Sequence, residues 1–149
     1  MKNLLIINGP NINLLGLREP ELYGRETYED LVRRVERACK ERGFGCKCFQ
    51  SNHEGAIVDE IQEARGRFEG IVINPAAYTH TSIAILDALR AVGIPAVEVH
   101  LTDISAREEY RRISFAGKAC LRTIAGHGPA GYEEAIGFLA DHLDASTAK

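Results

Sequence analysis

Apolar residues along the chain follow two alternating patterns: short continuous runs, and longer stretches in which they recur at helical spacing. The short runs are bounded by Gly, Pro or Asn, and the run at 71–73 is entirely Ile and Val. Such runs are typical of strands that are buried on both faces of a parallel sheet. The sequence therefore predicts strands at 4–7, 44–49, 71–73 and 96–100, with a fifth at 119–124.

The stretches with helical spacing predict four helices between and after these strands. Thr27 and Asp30 resemble a capping box at the start of the first helix, and Gly43 is suited to its C-cap. The remaining predicted helices cover about 57–66, 81–92 and 132–143, and the last six residues, 144–149, are predicted to form a loose tail.

Strands and helices alternate about five times, without an internal repeat, a low-complexity stretch or a linker. This order is typical of a parallel sheet with helices on both faces. Right-handed crossovers make a five-stranded, flavodoxin-like sheet the economical topology. We therefore predict a single α/β domain that spans residues 1–149.

Composition restricts the classes of partner and compartment. The 149 residues carry a net charge of −3, which gives no electrostatic case for a nucleic-acid or membrane-surface partner. No apolar run approaches the roughly 20 residues of a membrane span, and the run at 4–7 is too short for a signal-peptide core. We expect a cytoplasmic protein. The four cysteines lack C-x-x-C spacing and are predicted to be small core residues.

Polar residues are concentrated after the first and third predicted strands. The segment 74–82 carries amide, hydroxyl and imidazole groups between a strand and a helix. The segment 9–24 is rich in turn residues and is long for a loop of a compact domain. We interpret 9–24 as a lid-like loop; the alternative is a disordered insertion, which its leucines disfavour. Ligands bind at the carboxyl ends of parallel strands, so we place the site at these loops.

Glu98 and His100 stand two residues apart at the end of the fourth predicted strand. The period of two places both side chains on one face of the sheet. A carboxylate beside a histidine fixes its tautomer and favours its protonated form, as a general acid requires. The alternative is a buried ion pair with a structural role, but the position at a strand end favours catalysis.

Arginine and tyrosine side chains offer further chemistry. Arg107 and Arg111 are four residues apart and would share one helical face. That face is either a solvated, salt-bridged surface or a site for an oxyanion. On the lid-like loop, Tyr23 would be a poor base at its ordinary pKa of about 10. The guanidinium of Arg18 would favour the phenolate, although a packing role for Tyr23 is the alternative.

Several familiar signals do not occur in the sequence. There is no G-x-x-x-x-G-K-[ST], G-x-G-x-x-G or G-x-S-x-G motif, and no pair of histidines has metal-ligand spacing. His53 and His127 lack obvious partners and are predicted to be structural. We predict no cofactor and no metal. A nucleotide- or flavin-binding module on the same fold is a rival hypothesis, which a chromophore bound to the purified protein would support.

Taken together, seven motifs occur in a specific order along the chain. They are Asn8-Gly9-Pro10-Asn11, Arg18-x4-Tyr23-Gly24, Gln50-Ser51-Asn52, Asn74-x3-Tyr78-Thr79-His80-Thr81-Ser82, Glu98-Val99-His100, Ala106-Arg107-Glu108 and Arg111. This set closely resembles the type II 3-dehydroquinate dehydratases of the shikimate pathway, from the first strand to Gly131-Tyr132. The resemblance implies a flavodoxin-like fold and reversible dehydration of 3-dehydroquinate to 3-dehydroshikimate, without metal or cofactor.

The resemblance also implies catalytic roles. Tyr23 would remove a proton α to the ketone, and Arg18 would keep Tyr23 ionised. Asn11 would help to stabilise the resulting enolate through a water molecule. His100 would protonate the departing hydroxyl, and Glu98 would hold His100. No lysine stands in these loops, which argues against Schiff-base chemistry.

Substrate-binding roles follow from the same resemblance. Ring hydroxyls would be bound by Asn74, His80 and Arg111. The backbone N–H groups of Leu101 and Thr102 would bind the carboxylate. Asp87 would complete the site across a subunit contact, since family members are typically dodecamers built from trimers.

The sequence departs from the family pattern at a few positions. Pro75 follows Asn74 where a small residue is usual, and Ser105 and Ile113 stand where histidine is common. None of these changes removes a proposed catalytic group. A second rival is therefore a family-like protein that binds a related polyol acid without converting it, which the intact Tyr23 disfavours.

Overall fold

The computed structural model describes residues 1–17, Glu21 and residues 25–147. Among these residues, one sheet of five parallel strands has the order β2-β1-β3-β4-β5. This is the flavodoxin-like order, and it confirms the predicted fold class. The strands are β1 (Asn3–Asn8), β2 (Gly45–Gln50), β3 (Gly70–Asn74), β4 (Ala96–His100) and β5 (Arg122–Ala125).

Four α-helices of the described chain cover the two faces of the sheet, as predicted. They are α1 (Tyr28–Glu41), α2 (Glu54–Glu63), α3 (Ile83–Val92) and α4 (Ala130–Thr147). Short 3-10 turns occupy the loops at Ile12–Leu14, Ala76–His80, Ile104–Ala106, Glu109–Arg111 and Ala116–Ala119. No helix in this part of the protein combines the length and apolar character needed to cross a bilayer.

The strict alternation of side chains along β1 divides the core into two clusters. Leu4 and Ile6 pack with α1 and α4 on one face, whereas Leu5 and Ile7 pack with α2 and α3 on the other. All four side chains are fully buried, and burying each stabilises the fold by about 1.5–3 kcal/mol relative to exposure. Because both faces are covered, β1 is held rigidly, and its last residue enters the site from a fixed position.

Local signals at the helix ends agree with the sequence. Thr27 Oγ1 accepts the N–H of Asp30 at 3.2 Å, and Asp30 Oδ2 accepts the N–H of Thr27 at 3.0 Å, so the capping box is confirmed. Helix α3 begins two residues later than predicted because Ser82 is its N-cap and accepts the N–H of Ile85 at 2.9 Å. Gly93 ends α3 with a left-handed φ of 65°.

Three predictions about the second half of the chain are wrong. The fifth strand covers 122–125 rather than 119–124, because Ala116–Ala119 forms a 3-10 turn that delays the strand. Residues 144–147 are not a loose tail but the last turn of α4, which extends to Thr147; residues 148–149 lie outside the described part. Arg107 and Arg111 do not share one helix, since Arg107 falls between two separate 3-10 turns.

The cysteines are free thiols. Cys39 is fully buried, and Cys46 and Cys48 are half-buried against the same apolar cluster. Cys120 packs partly buried against the other cluster. Their predicted role as small core residues is confirmed.

Candidate active site

The site is built where three central strands end side by side. Asn8 and Asn74 are register partners at the ends of β1 and β3, and His100 ends the neighbouring β4. All three residues are at least 95% buried. Burial of a polar group is unfavourable unless the group forms hydrogen bonds. These strand ends are therefore arranged for specific hydrogen bonding.

A cavity of about 220 Å³ opens beside these strand ends. Its volume is below the 300–1,000 Å³ typical of pockets for drug-sized ligands, so it suits a smaller molecule. Seven of the eleven residues predicted for the site line the cavity: Asn11, Asn74, His80, His100, Leu101, Thr102 and Arg111. The fold therefore brings these seven residues together at one cavity.

Glu98 and His100 project to the same side of β4, as their spacing predicts. His100 Nε2 lies 3.2 Å from Glu98 Oε2, and the Glu98 side chain is fully buried. This nitrogen forms no hydrogen bond within the described chain, so the contact is a close approach of an imidazole to a carboxylate. A buried carboxylate at this distance orients the imidazole ring, and His100 lines the cavity.

Two hydroxyl groups donate hydrogen bonds to the Glu98 carboxylate. Ser114 Oγ donates to Oε2, and Thr123 Oγ1 donates to Oε1 at 2.8 Å. Burial by itself would raise the pKa of Glu98, but His100 and these two hydroxyls hold that pKa below its ordinary value. The carboxylate therefore stays ionised although water does not reach it.

His80 offers an acceptor to the cavity. Its Nδ1 lies 2.8 Å from the backbone oxygen of Ile113, which can only accept, so Nδ1 carries the hydrogen. In the neutral ring, Nε2 is then an acceptor. Burial and the nearby His100 and Arg111 charges lower the pKa of His80 despite this carbonyl contact. The neutral form is thus favoured and can accept a hydroxyl hydrogen from a ligand.

Arg107 and Arg111 both line the cavity, although separate turns carry them. Glu108 lies between them, with Oε2 at 3.1 Å from Arg111 Nε and at 3.9 Å from Arg107 Nε. This carboxylate places both guanidinium groups at the same wall. The prediction of a shared helix was wrong, but both arginines are available to an anionic or hydroxylated ligand.

Asn11 enters the cavity from the loop after β1. Its backbone is left-handed, with φ 69°, a conformation that asparagine adopts more readily than most residues. Its N–H donates to Asn52 Oδ1 at 3.0 Å, and Gln50 donates to the Gly9 carbonyl at 3.1 Å. The predicted motif at 50–52 therefore fixes this part of the loop.

Of the other predicted site residues, Asp87 does not line the cavity and two are not described. Asp87 is exposed on α3 and is not among the lining residues. Tyr23 and Arg18 lie outside the described residues, so their roles stay predictions. His53 precedes α2 without capping it through its side chain. The prediction that His127 lacks a partner was wrong, because its Nδ1 lies 2.5 Å from Glu134 Oε2 at the surface.

Several supporting residues were missed by sequence reasoning. Ser114 and Thr123 bind Glu98, and the Tyr132 hydroxyl lies between Asn8 and Asn74. The register of β4 and β5 pairs Glu98 with Thr123, so a correctly placed fifth strand would have indicated that contact. In the described part, no group of three or more His, Cys, Asp or Glu side chains is arranged to hold a metal ion.

Comparisons with known proteins agree with this geometry. The family model described as dehydroquinase class II matches residues 2–140. A 3-dehydroquinate dehydratase of Clostridium botulinum (strain 657 / Type Ba4) is 51% identical over 143 residues, which cover 96% of this chain and 97% of the relative. A catabolic 3-dehydroquinase of Verticillium alfalfae is 52% identical over 140 residues, 94% of this chain and 93% of the relative.

A solved structure shows that the similarity extends to the fold. The crystal structure of the type II dehydroquinase from Butyrivibrio crossotus DSM 2876 superposes with a TM-score of 0.91 at 50% sequence identity. The match covers 93% of this chain and 97% of that one. Sequence and fold thus agree over nearly the whole length, and the chain belongs to the class II dehydroquinase family.

Proposed function

We propose that this protein is a hydro-lyase that catalyses the reversible dehydration of 3-dehydroquinate to 3-dehydroshikimate, a step of the shikimate pathway. The observation that carries this proposal is the fully buried Glu98 carboxylate 3.2 Å from His100 at the wall of a small polar cavity. The activity in the names of the Clostridium and Verticillium relatives supports the same reaction.

The reaction proceeds in two proton transfers with an enolate between them. Tyr23, activated by Arg18, removes the proton α to the ketone. Asn11 helps to stabilise the enolate oxygen from the cavity wall. His100 then gives its proton to the departing hydroxyl, which leaves as water and generates the conjugated enone. Neither transfer uses a metal or a Schiff base.

The geometry of β4 supports the acid half of this mechanism. Elimination of hydroxide is slow unless a general acid protonates the leaving group. The buried Glu98 carboxylate lies 3.2 Å from His100 Nε2 and holds the imidazole at the cavity wall. Glu98 does not touch the substrate in this scheme; it sets the orientation of the group that does.

Substrate recognition uses the other walls of the cavity. Asn74, His80 and Arg111 bind the ring hydroxyls, with the neutral His80 accepting a hydrogen at Nε2. The backbone N–H groups of Leu101 and Thr102 bind the substrate carboxylate. In this scheme, fixed backbone donors bind the charged end of the substrate, and side chains recognise the stereochemistry of its ring.

The first experiment is incubation of the purified protein with 3-dehydroquinate and a chelator, followed by ultraviolet absorbance of the enone product. We expect a rise in absorbance that is abolished in Tyr23→Phe and in His100→Ala, with the fold intact by circular dichroism. Near-normal turnover in either variant would overturn the role of that residue. Folded wild-type protein that binds the substrate without any rise would instead be a non-catalytic binder.

We also propose that the enzyme assembles as a dodecamer, a tetramer of trimers, in which Asp87 reaches the site of a neighbouring subunit. Asp87 and Ile83 are four residues apart on one face of α3, and Ile83 is 54% exposed. A subunit contact that covers Ile83 therefore brings Asp87 to the same interface. Sedimentation equilibrium should give a mass twelve times the 16.4 kDa of the chain, and a monomer with full activity would contradict the proposal.

The proposed compartment is the cytoplasm. All four cysteines are free thiols, and disulfides persist mainly in oxidising compartments. Fractionation of cells that express the protein from its own gene should recover the dehydratase activity with cytoplasmic markers; recovery in another fraction would refute this location.

A further inference from the structure

The hydroxyl of Tyr132 connects the ends of two central strands beneath the cavity. Tyr132 lies in the first turn of α4 and is fully buried. Asn74 Nδ2 donates to this hydroxyl at 2.9 Å, and the hydroxyl donates to Asn8 Oδ1 at 2.6 Å. Burial raises the pKa of Tyr132 well above its ordinary value, so the phenol stays neutral and keeps its hydrogen.

The direction of these hydrogen bonds is set by a backbone group. The N–H of Ala76, which can only donate, lies 3.1 Å from the side-chain amide of Asn74. The atom facing Ala76 must therefore be the oxygen Oδ1, which turns Nδ2 towards Tyr132. Because Nδ2 donates to the Tyr132 oxygen, the hydrogen of that hydroxyl is directed to Asn8. Each bond determines the next, and the amide of Asn74 has one orientation.

The orientation of Asn74 matters because this residue lines the cavity. One Nδ2 hydrogen is used by Tyr132, so the second is the hydrogen that a ligand oxygen can accept. If the amide turned over, the same position would present an acceptor instead of a donor. The Ala76 N–H fixes which way the amide faces, and the Tyr132 hydroxyl holds its Nδ2 end in place, so that the second Nδ2 hydrogen stays directed at the cavity.

We propose that Tyr132 is a positioning residue for substrate recognition, and that its hydroxyl acts through Asn74 rather than by touching the substrate. The inference rests on the proposed function, since the ligand is the ring of 3-dehydroquinate and the group recognised is one of its hydroxyl oxygens. Tyr132 lies far from the motif of Asn74 in sequence, and their contact is a product of the fold.

The test begins with Tyr132→Phe in the full-length enzyme in its natural assembly. This change keeps the buried ring and removes only the hydroxyl. We expect the KM for 3-dehydroquinate to rise about fivefold or more with kcat within about twofold, because a binding contact is weakened equally in ground and transition states. An unchanged KM, or a fall in kcat alone, would overturn the proposal.

A double-mutant cycle separates positioning from a general effect on folding. In an Asn74→Ala background, Tyr132→Phe should change KM by less than about twofold, because the group through which it acts is gone. In a His80→Ala background, the full effect of Tyr132→Phe should persist. A full and additive effect in both backgrounds would show that Tyr132 does not act through Asn74.

Tyr28→Phe is the matched control, because the Tyr28 hydroxyl bonds to Asn8, the side chain to which the Tyr132 hydroxyl also donates. It should lower the melting temperature with little change in KM; a KM rise equal to that of Tyr132→Phe would overturn the specific role. If Tyr132→Phe does not fold, Asn8→Ala removes the acceptor of its hydrogen and should raise KM, and an unchanged KM there refutes the inference. A wild-type protein without dehydratase activity would instead refute the proposed function.

Discussion

A methyl group added at Gly9 would clash with the backbone of Pro75, directly after β3. Gly9 follows β1, and its N–H donates to the carbonyl of Asn74 at 2.8 Å. A Cβ at this position would stand 2.4 Å from the Pro75 oxygen and 2.7 Å from its carbonyl carbon. Both atoms belong to the main chain, so no side-chain rotation can relieve the contact.

The size of the effect follows from that distance. Ordinary contact of a Cβ begins at 3.4 Å, so the two loops must separate by about 1 Å. Overpacking of this kind costs about 1–3 kcal/mol of stability. Asn11 lies on one of the separated loops and Asn74 on the other strand end, and a misplacement of about 1 Å in a site lowers turnover by about a hundredfold.

The assay is the initial rate of enone formation, with the melting temperature measured in parallel. For Gly9→Ala we expect kcat/KM to fall by about a hundredfold, together with a lower melting temperature. Gly55→Ala is the control, because it lies in α2 with open space around it, and alanine favours a helix by about 0.5–1 kcal/mol over glycine. Wild-type kcat/KM in Gly9→Ala would refute the argument that this close approach sets the site.

Three further predictions concern single side chains. Thr123→Val removes a hydrogen bond that lowers the pKa of Glu98, so the pKa of Glu98 should rise. The acid limb of the pH profile of kcat should then move to higher pH, and an unmoved limb would contradict the role of Thr123. Arg111→Ala should raise KM by about tenfold or more, since hydrogen bonds of charged groups contribute about 1.5–3 kcal/mol; a loss confined to kcat would contradict a binding role. Thr27→Ala should destabilise the fold by about 1 kcal/mol through loss of the cap, measured by urea unfolding, with unchanged kinetics.

The first half of the fold was predictable because its signals are local. The first and third strands are apolar runs that end at an asparagine, and the capping box at Thr27 is recognisable from four consecutive residues. The fifth strand was misplaced because Ala119 and Cys120 are as compatible with a turn as with a strand. There, tertiary contacts decide: the Leu121 N–H donates to the Ala96 carbonyl at 2.8 Å, and pairing with β4 begins only at the next residue.

The site was predictable to the same degree and for the same reason. A period of two places Glu98 with His100 without knowledge of any other segment. The partners that orient these groups come from residues that are 16, 25 or 58 positions away from the groups they bind. Nothing in a single sequence links Ser114 to Glu98 or Tyr132 to Asn74, because the link is a distance that exists only after the sheet and α4 have packed.

The two halves of the proposed reaction therefore have different structural origins. The proposed acid, His100, and the proposed recognition residue, Asn74, end strands whose register is fixed by apolar cores on both faces of the sheet. A slip of one residue in β4 would turn Glu98 and His100 to the opposite face, so the packing that stabilises the fold also aligns the acid. The proposed base, Tyr23, follows β1 in sequence and lies outside the described residues. Elimination requires base and acid on opposite sides of the ring, so we expect Tyr23 to act on the ring from the side opposite to His100.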